Sequence, residues 1–357
     1  MSRKDRFLKA CRMEKADCTP VWFMRQAGRY MKAYRDIREK FGLMEMFKDP
    51  DLSVEITLQP INAFSLDAAI IFSDILLPLE GMGIGFDFPQ GGGPVIRNPV
   101  RNEADIRSLR IAEPDSDLGF VLKSIRRVRD EIDGKVPLIG FAGGPFTLAS
   151  YAIEGGSSSN YLLTKSLMYE NRPAWDLLMS RFRDTVSAYL KAQVAAGAQV
   201  VQLFDSWIGC LSPSDYRIYV LPHTQTIFRE LRKEGIPSIH FGTGTAGLLS
   251  LIAEAGGDII GADWRIALDS AWKAVGSAKG IQGNLDPIAL MAPRGILEQK
   301  AREILDAAAR RPGHIFNLGH GILPSTPEDA VRALTDFVHE YSADETELSR
   351  KRPSVTK

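Results

Sequence analysis

Two arginines four residues apart open the chemistry of this chain, in the stretch Arg25-Gln26-Ala27-Gly28-Arg29-Tyr30 that directly follows the apolar run PVWFM. On a helix, that spacing sets both guanidinium groups on one face. If Gly28 breaks the helix, backbone N–H groups and guanidinium groups turn toward the same anion instead. Either arrangement suits carboxylates, which guanidinium binds in a bidentate, charge-assisted fork. A surface loop with solvated arginines is the plain alternative. Asp74 follows AAIIFS, so an apolar strand delivers a carboxylate to a water-poor place. Such a group needs a cation or several N–H donors, or else is a helix cap. Tyr151 stands between GFAGGPFTLAS and EGGSSS. The glycines permit close backbone approach, and the Gly/Ser run suits a lid or an anion nest. A core tyrosine with a satisfied hydroxyl explains the position equally well.

One motif points elsewhere. Gly242, Gly244 and Gly247 form G-x-G-x-x-G after the apolar run IPSIHF, and Asp263 ends the next apolar run. That is the context of a dinucleotide site, with the acid placed for a ribose. It makes a nicotinamide-dependent oxidoreductase a rival reading. Metal chemistry has little to build on. His223, His240, His314, His320 and His339 show no HExxH or paired spacing, and Cys11, Cys18 and Cys210 include no CxxC.

These residues need elements to position them. Eight short apolar runs are strand candidates: residues 20–24, 68–73, 136–143, 198–205, 236–241, 257–264, 280–285 and 314–321. They are continuous rather than alternating, as strands buried on both faces of a parallel sheet are. Amphipathic stretches such as 181–197, 245–257 and 297–310 lie between them, several ending in Gly. Eight such units in series, with no Pro- or Ser-rich linker, predict a single (β/α)8 barrel of the TIM type over residues 1–341. A doubly wound sheet is the structural alternative. Barrel sites form at the C-terminal strand ends. There the sequence sets the Arg25–Tyr30 stretch, Asp74, Tyr151, Asp205-Ser206, His240, Asp263, Asn284 with Asp286, and His320. Glu80–Asp117 holds two apolar stretches around a Gly/Pro turn, which predicts a hairpin-like excursion and a functional long loop.

Composition narrows the classes. The 357 residues carry 44 Lys+Arg and 44 Asp+Glu, so bulk nucleic acid or an anionic membrane surface is not the expected partner. Scarce cysteines, no signal-like start and no long apolar run predict a cytoplasmic protein. The polar stretch from Ser342 onward is expected to be a disordered tail.

PVWFMRQAGRYMKAYR and GFAGGPFTLASYAIEGGSS closely resemble two signature stretches of the uroporphyrinogen decarboxylase family. AAIIFSDIL, QLFDSW and NLGHGILPSTPE resemble its strand-end segments in the same order, and the likeness runs from about Phe7 to Tyr341. The resemblance implies a barrel, usually dimeric, that converts uroporphyrinogen III to coproporphyrinogen III without metal or cofactor. It implies that Arg25, Gln26, Ala27, Gly28 and Arg29 meet the tetrapyrrole, the two arginines holding its carboxylates. It further implies Asp74 beneath the pyrrole N–H groups, Tyr151, Ser206 and His320 as contacts, and Phe204 in the apolar wall. Asp74, Arg25 and Tyr151 are then the catalytic residues, with Arg25 a candidate for the proton path. A zinc-dependent methyltransferase on the same barrel type, or a silent tetrapyrrole binder, would share much of this pattern.

Overall fold

The computed structural model describes residues 1–89 and 92–344. Nine strands run in chain order: β1 (Ala69–Ile70), β2 (Phe86–Asp87), β3 (Val95–Ile96), β4 (Leu138–Gly143), β5 (Val200–Phe204), β6 (Ser238–Phe241), β7 (Ile259–Gly261), β8 (Gly280–Gln282) and β9 (His314–Ile315). Seven of them form one parallel sheet in the order β1-β4-β5-β6-β7-β8-β9, alternating with helices as the apolar runs predict.

The eighth stave is the run at 20–24, and it differs from the expectation. It is no ladder strand but a single parallel bridge, Val21 to Phe316. Pro20 has no N–H to offer, and the chain turns away at Arg25, whose φ is +59°. This short stave nevertheless joins the sheet's two edges. Phe316 N donates to Pro20 O (2.9 Å), Trp22 N to Phe316 O (3.4 Å), and Asp67 N to Val21 O (2.7 Å). The lumen is filled rather than open. Trp22 Nε1 donates to Gln282 Oε1 (2.9 Å), and Gln282 Nε2 donates to Gln202 Oε1 (3.1 Å), stitching three staves across the interior.

Asp67 fastens this junction at the foot of the barrel. Its carboxylate, 0% exposed, accepts from Val21 N (2.7 Å) and Arg6 Nη1 (2.7 Å), and lies 2.6 Å from His339 Nε2. The first helix (Arg3–Cys11), the short stave and the last described helix (Glu328–Ser342) thus meet on one side chain.

Two helix–strand units carry the site. Pro145–Glu154 follows β4, starting on Pro145 at its first position and ending at Gly155 with φ +89°. Arg172–Ala195 precedes β5, and its Gln193 reaches back to β4, accepting from Phe141 N and donating to Phe141 O at 2.8 Å each. A Cβ on Gly140 would lie 2.5 Å from that carboxamide, so only glycine lets the helix sit this close.

The excursion after β1 contains the expected hairpin. β2 and β3 pair antiparallel, Phe86 opposite Ile96 and Asp87 opposite Val95. The hairpin leans on the end of helix Pro145–Glu154, where Ile96 N donates to Gly155 O (2.9 Å) and Val100 N to Ala152 O (3.0 Å). At the C-terminus, Ser342 Oγ accepts from Thr19 N (2.8 Å) and Asp344 N donates to Asp17 O (2.9 Å). Of the tail expected from Ser342 onward, Ser342 ends the last helix and Asp344 is bonded to Asp17, while residues 345–357 lie outside the described residues. Among the described residues no helix is long and apolar enough to cross a membrane.

Asp67→Ala would strand the Arg6 guanidinium and the Val21 N–H together. The expected loss is about 3–5 kcal/mol, read as a lower urea midpoint at unchanged slope. A loss under about 1 kcal/mol, the surface-pair range, would show that the junction holds without this carboxylate.

Candidate active site

Of the two geometries open to the arginine stretch, the structure has the loop. The next helix starts only at Lys32. Gln26 is fully buried and committed to the backbone: its Oε1 accepts from Phe23 N (3.1 Å), its Nε2 donates to Ala68 O (3.1 Å), and its carbonyl accepts from the Tyr30 hydroxyl (2.7 Å). That bracket fixes the turn and leaves Ala27 and Gly28 partly exposed and both arginines exposed. The two charges act in different places. Arg25 acts on Asp74, Tyr151 and His320, whereas Arg29 acts on Tyr34. Gly321 makes room for the first: a Cβ there would lie 2.5 Å from Arg25 Cδ and 3.1 Å from its Cβ.

Asp74 stands just past β1. Leu76 N donates to its Oδ1 (2.9 Å), and among the described residues its Oδ2 accepts no hydrogen bond. Burial pushes the carboxyl up to about 6, against the pull of the Leu76 N–H and the Arg25 charge. It is an anion at neutral pH, held at a cost and with one oxygen unengaged.

His320, past β9, accepts from Gly321 N at Nδ1 (2.8 Å). Burial holds the ring down at about 4, helped by Arg25 and Arg265 and opposed by Asp263. The ring is therefore neutral, and the Nδ1 bond leaves its proton on Nε2, making it a donor without charge. Tyr151 sits on helix Pro145–Glu154. Burial, then Asp74, pushes its hydroxyl up to about 12 against Arg25, so it too stays a neutral donor. Its ring stacks on Trp207 at 3.8 Å and 29°. Trp207 is tied in turn: its N donates to Thr147 Oγ1 (3.2 Å), and that hydroxyl donates to the buried Asp205 Oδ1 (2.8 Å).

Phe204, at the end of β5, lies edge-on to Phe141 (5.4 Å) and Phe241 (5.9 Å) and forms an apolar wall. Ser206 follows it, half-buried, its carbonyl accepting from Thr243 Oγ1. Arg25, Asp74, Tyr151 and His320 thus share one electrostatic neighbourhood, with Phe204 and Ser206 on the adjoining strand end. The group can hold carboxylates, present one desolvated anion, and offer neutral N–H and O–H donors.

Other strand-end residues do different work. His240 is fully buried and faces the helix layer, its ring 4.9 Å from Phe228 of helix Leu221–Lys233. Asn284 Nδ2 donates to Asp263 O and Ile266 O (2.9 and 2.7 Å), and Asp286 caps Ile288 N (2.9 Å). The glycine fingerprint is occupied by the chain itself, because Gly244 N donates to Asp263 Oδ2 (2.6 Å). Its following helix, Leu249–Ala255, is only seven residues long. Among the described residues no three His, Cys, Asp or Glu side chains converge to hold a metal ion. Sequence reading missed Trp207, Gly321 and Arg265. Trp207 and Gly321 adjoin Ser206 and His320, and Arg265 lies two residues past Asp263, so proximity in the chain was the available signal.

Asp74 pays for its position in stability. Its folded value of about 6 lies above the ordinary carboxyl value of 3.8, so the native state binds the proton more tightly than the unfolded chain. The cost is absent well below pH 3.8, grows as pH rises from 3.8 to about 6, and is full at pH 7. Asp74→Asn is expected to raise stability at pH 7 by up to about 3 kcal/mol and near pH 4 by no more than about 0.5 kcal/mol. Thermal melts at the two pH values check this, and equal shifts at both would refute it. Gly321→Ala is expected to displace Arg25 and weaken binding of a polycarboxylate by about tenfold or more. An unchanged Kd in calorimetry would show that Arg25 has other room.

Comparison with known proteins identifies the family. The family model described as Uroporphyrinogen decarboxylase (URO-D) matches residues 2–341. A uroporphyrinogen decarboxylase of Carboxydothermus hydrogenoformans is 56% identical over 339 residues, covering 95% of this chain and 97% of the relative. That of Sorangium cellulosum is 57% identical over 335 residues, covering 94% and 96%. Among solved structures, a methyltransferase from Methanosarcina mazei superposes with a TM-score of 0.82 at 19% identity, covering 96% of this chain and all of that one. That likeness speaks for the barrel fold alone. A family model spanning almost the whole described chain, and relatives more than half identical along it, leave one conclusion: the chain belongs to the uroporphyrinogen decarboxylase family.

Proposed function

We propose that this barrel removes the carboxyl groups from the four acetate arms of uroporphyrinogen III, giving coproporphyrinogen III and carbon dioxide. The observation that carries the reading is Asp74: a desolvated carboxylate with a free oxygen, beside an arginine that the fold keeps exposed. The substrate suits this pair. Its carboxylates surround a ring whose four pyrrole N–H groups point inward.

Breaking the bond between an acetate methylene and its carboxylate leaves an electron pair that must be absorbed. Protonation of the adjacent pyrrole carbon makes the ring a cation that takes this pair as carbon dioxide departs. A second proton then converts the exocyclic methylene to methyl while the first is lost from the ring, so one proton is consumed per carbon dioxide. The substrate is its own electron sink. The protein's contribution is electrostatic. Asp74 beneath the N–H groups stabilises the cation, worth roughly 3–4 kcal/mol for a fixed charge in a dry pocket. Arg25 anchors the reacting carboxylate and, through an intervening water, is the candidate proton path. Arg is a weak acid at neutral pH, so this second role demands its own test. Arg29 anchors a more distant arm. His320 and Tyr151, both neutral, donate to carboxylates without competing for the cation's charge, and Phe204 excludes water.

Barrel residues 1–341 act as one domain in this reading, with neither nucleic acid nor membrane as partner. We place the protein in the cytoplasm as a homodimer. Exposed Leu162, Leu163 and Tyr169 on one helix and Ile218 on a neighbouring helix support association, and sedimentation velocity decides it.

Purified protein given uroporphyrinogen anaerobically, without metal or cofactor, is expected to yield products with seven down to four carboxylates. No loss of carboxylates would overturn the reading. Activity is expected to fall on the acid side of about pH 6, where Asp74 takes up its proton. His320→Gln should leave that limb in place, and Asp74→Asn should lower kcat by about 10²–10³. A limb that vanishes with His320, or an unchanged kcat in Asp74→Asn, sinks the assignment. Full turnover in both Arg25→Lys and Arg25→Ala removes Arg25 from the proton path.

A further inference from the structure

The turn after β7, Asp263-Trp264-Arg265-Ile266, holds an arginine that the mechanism above does not use. Its backbone is fixed from two sides. Asn284 Nδ2 clasps the carbonyls of Asp263 and Ile266 (2.9 and 2.7 Å), and Gly319 approaches so closely that a Cβ there would clash with Trp264 N. The side chain is fixed as well. Arg265 Nη1 donates to Asp263 Oδ2 (2.5 Å), and the guanidinium lies 4.0 Å over the Trp264 ring.

A plain structural ion pair explains part of this. Asp263 is 1% exposed and needs donors. It already has two from the backbone, however, Gly244 N (2.6 Å) and Arg265 N (3.1 Å). Only Nη1 of the guanidinium is engaged, and the side chain remains 52% exposed. One corner is held by a carboxylate and one face by an aromatic ring, so the Nε and Nη2 donors are oriented with little rotamer freedom left to lose. That is a prepared fork for a second carboxylate. Its place is the site rim: Gly319, directly before His320, packs on the backbone of Trp264, directly before Arg265, and the Arg265 charge acts on His320 together with that of Arg25.

We propose that Arg265 is a further substrate-binding residue, which grips a carboxylate arm of the tetrapyrrole beside His320. This rests on the tetrapyrrole reading, and the two fail differently. An inactive wild type defeats the reading, whereas an active wild type with an indifferent Arg265 defeats only this proposal.

The test is steady-state decarboxylation of uroporphyrinogen by wild type, Arg265→Gln and Arg265→Lys at low and raised salt, with thermal melts alongside. Arg265→Gln is expected to raise KM about tenfold or more, with a smaller change in kcat and a shallower salt dependence of KM. Arg265→Lys is expected to recover part of the loss, because it keeps the charge without the fork. If Gln unfolds the protein, the Lys variant carries the same readout. Wild-type KM and salt dependence in the folded variants, with or without a lowered Tm, would overturn the proposal and leave Arg265 a structural partner of Asp263.

Discussion

The carboxylate of Asp67 takes over a task that main-chain hydrogen bonds perform elsewhere in the barrel. Seven staves are tied to their neighbours by parallel ladders, but the stave at 20–24 begins with a proline and has room for only one bridge. A buried side chain therefore caps Val21 N, while Asp67 N returns a bond to Val21 O. Four residues on from Val21 stands Arg25. The position of that guanidinium relative to Asp74 is thus inherited from a junction at the opposite end of the barrel. A buried acid is acceptable there because Arg6 pairs with it and Val21 N and His339 hydrogen-bond to it.

At the rim the balance runs the other way. Asp74 has one backbone donor and one nearby cation, and desolvation outweighs both. The contrast between Asp67 and Asp74 separates a carboxylate that holds the fold from one the fold merely tolerates. The second kind keeps one oxygen without a hydrogen bond among the described residues. The neighbours follow the same logic. His320 and Tyr151 are held neutral, so neither adds a charge to the one that Arg25 places near Asp74.

Much of this was legible in the residues. Continuous apolar runs marked seven strands because both faces of a parallel barrel strand are buried, and the Gly/Pro turn at 80–117 marked the hairpin. The short stave was misjudged because its register depends on partners more than forty residues away, Asp67 in one direction and Phe316 in the other. Counting past strand ends named Arg25, Asp74, Tyr151 and His320, which the structure brings into one electrostatic neighbourhood. It failed at His240, where a shift of one residue decides between lumen and helix layer and an unbroken apolar run does not reveal the phase. Trp207 escaped because it is placed by Thr147, a tertiary partner that no local pattern announces; Arg265 lies only two residues past Asp263, which holds it.

The bond from Gly244 to Asp263 bears on selectivity among anions. A glycine-rich turn after a parallel strand ordinarily invites phosphate. Here the chain supplies its own anion, tethered in the same body, so a free phosphate would have to displace a carboxylate that is already held at the Gly244 N–H.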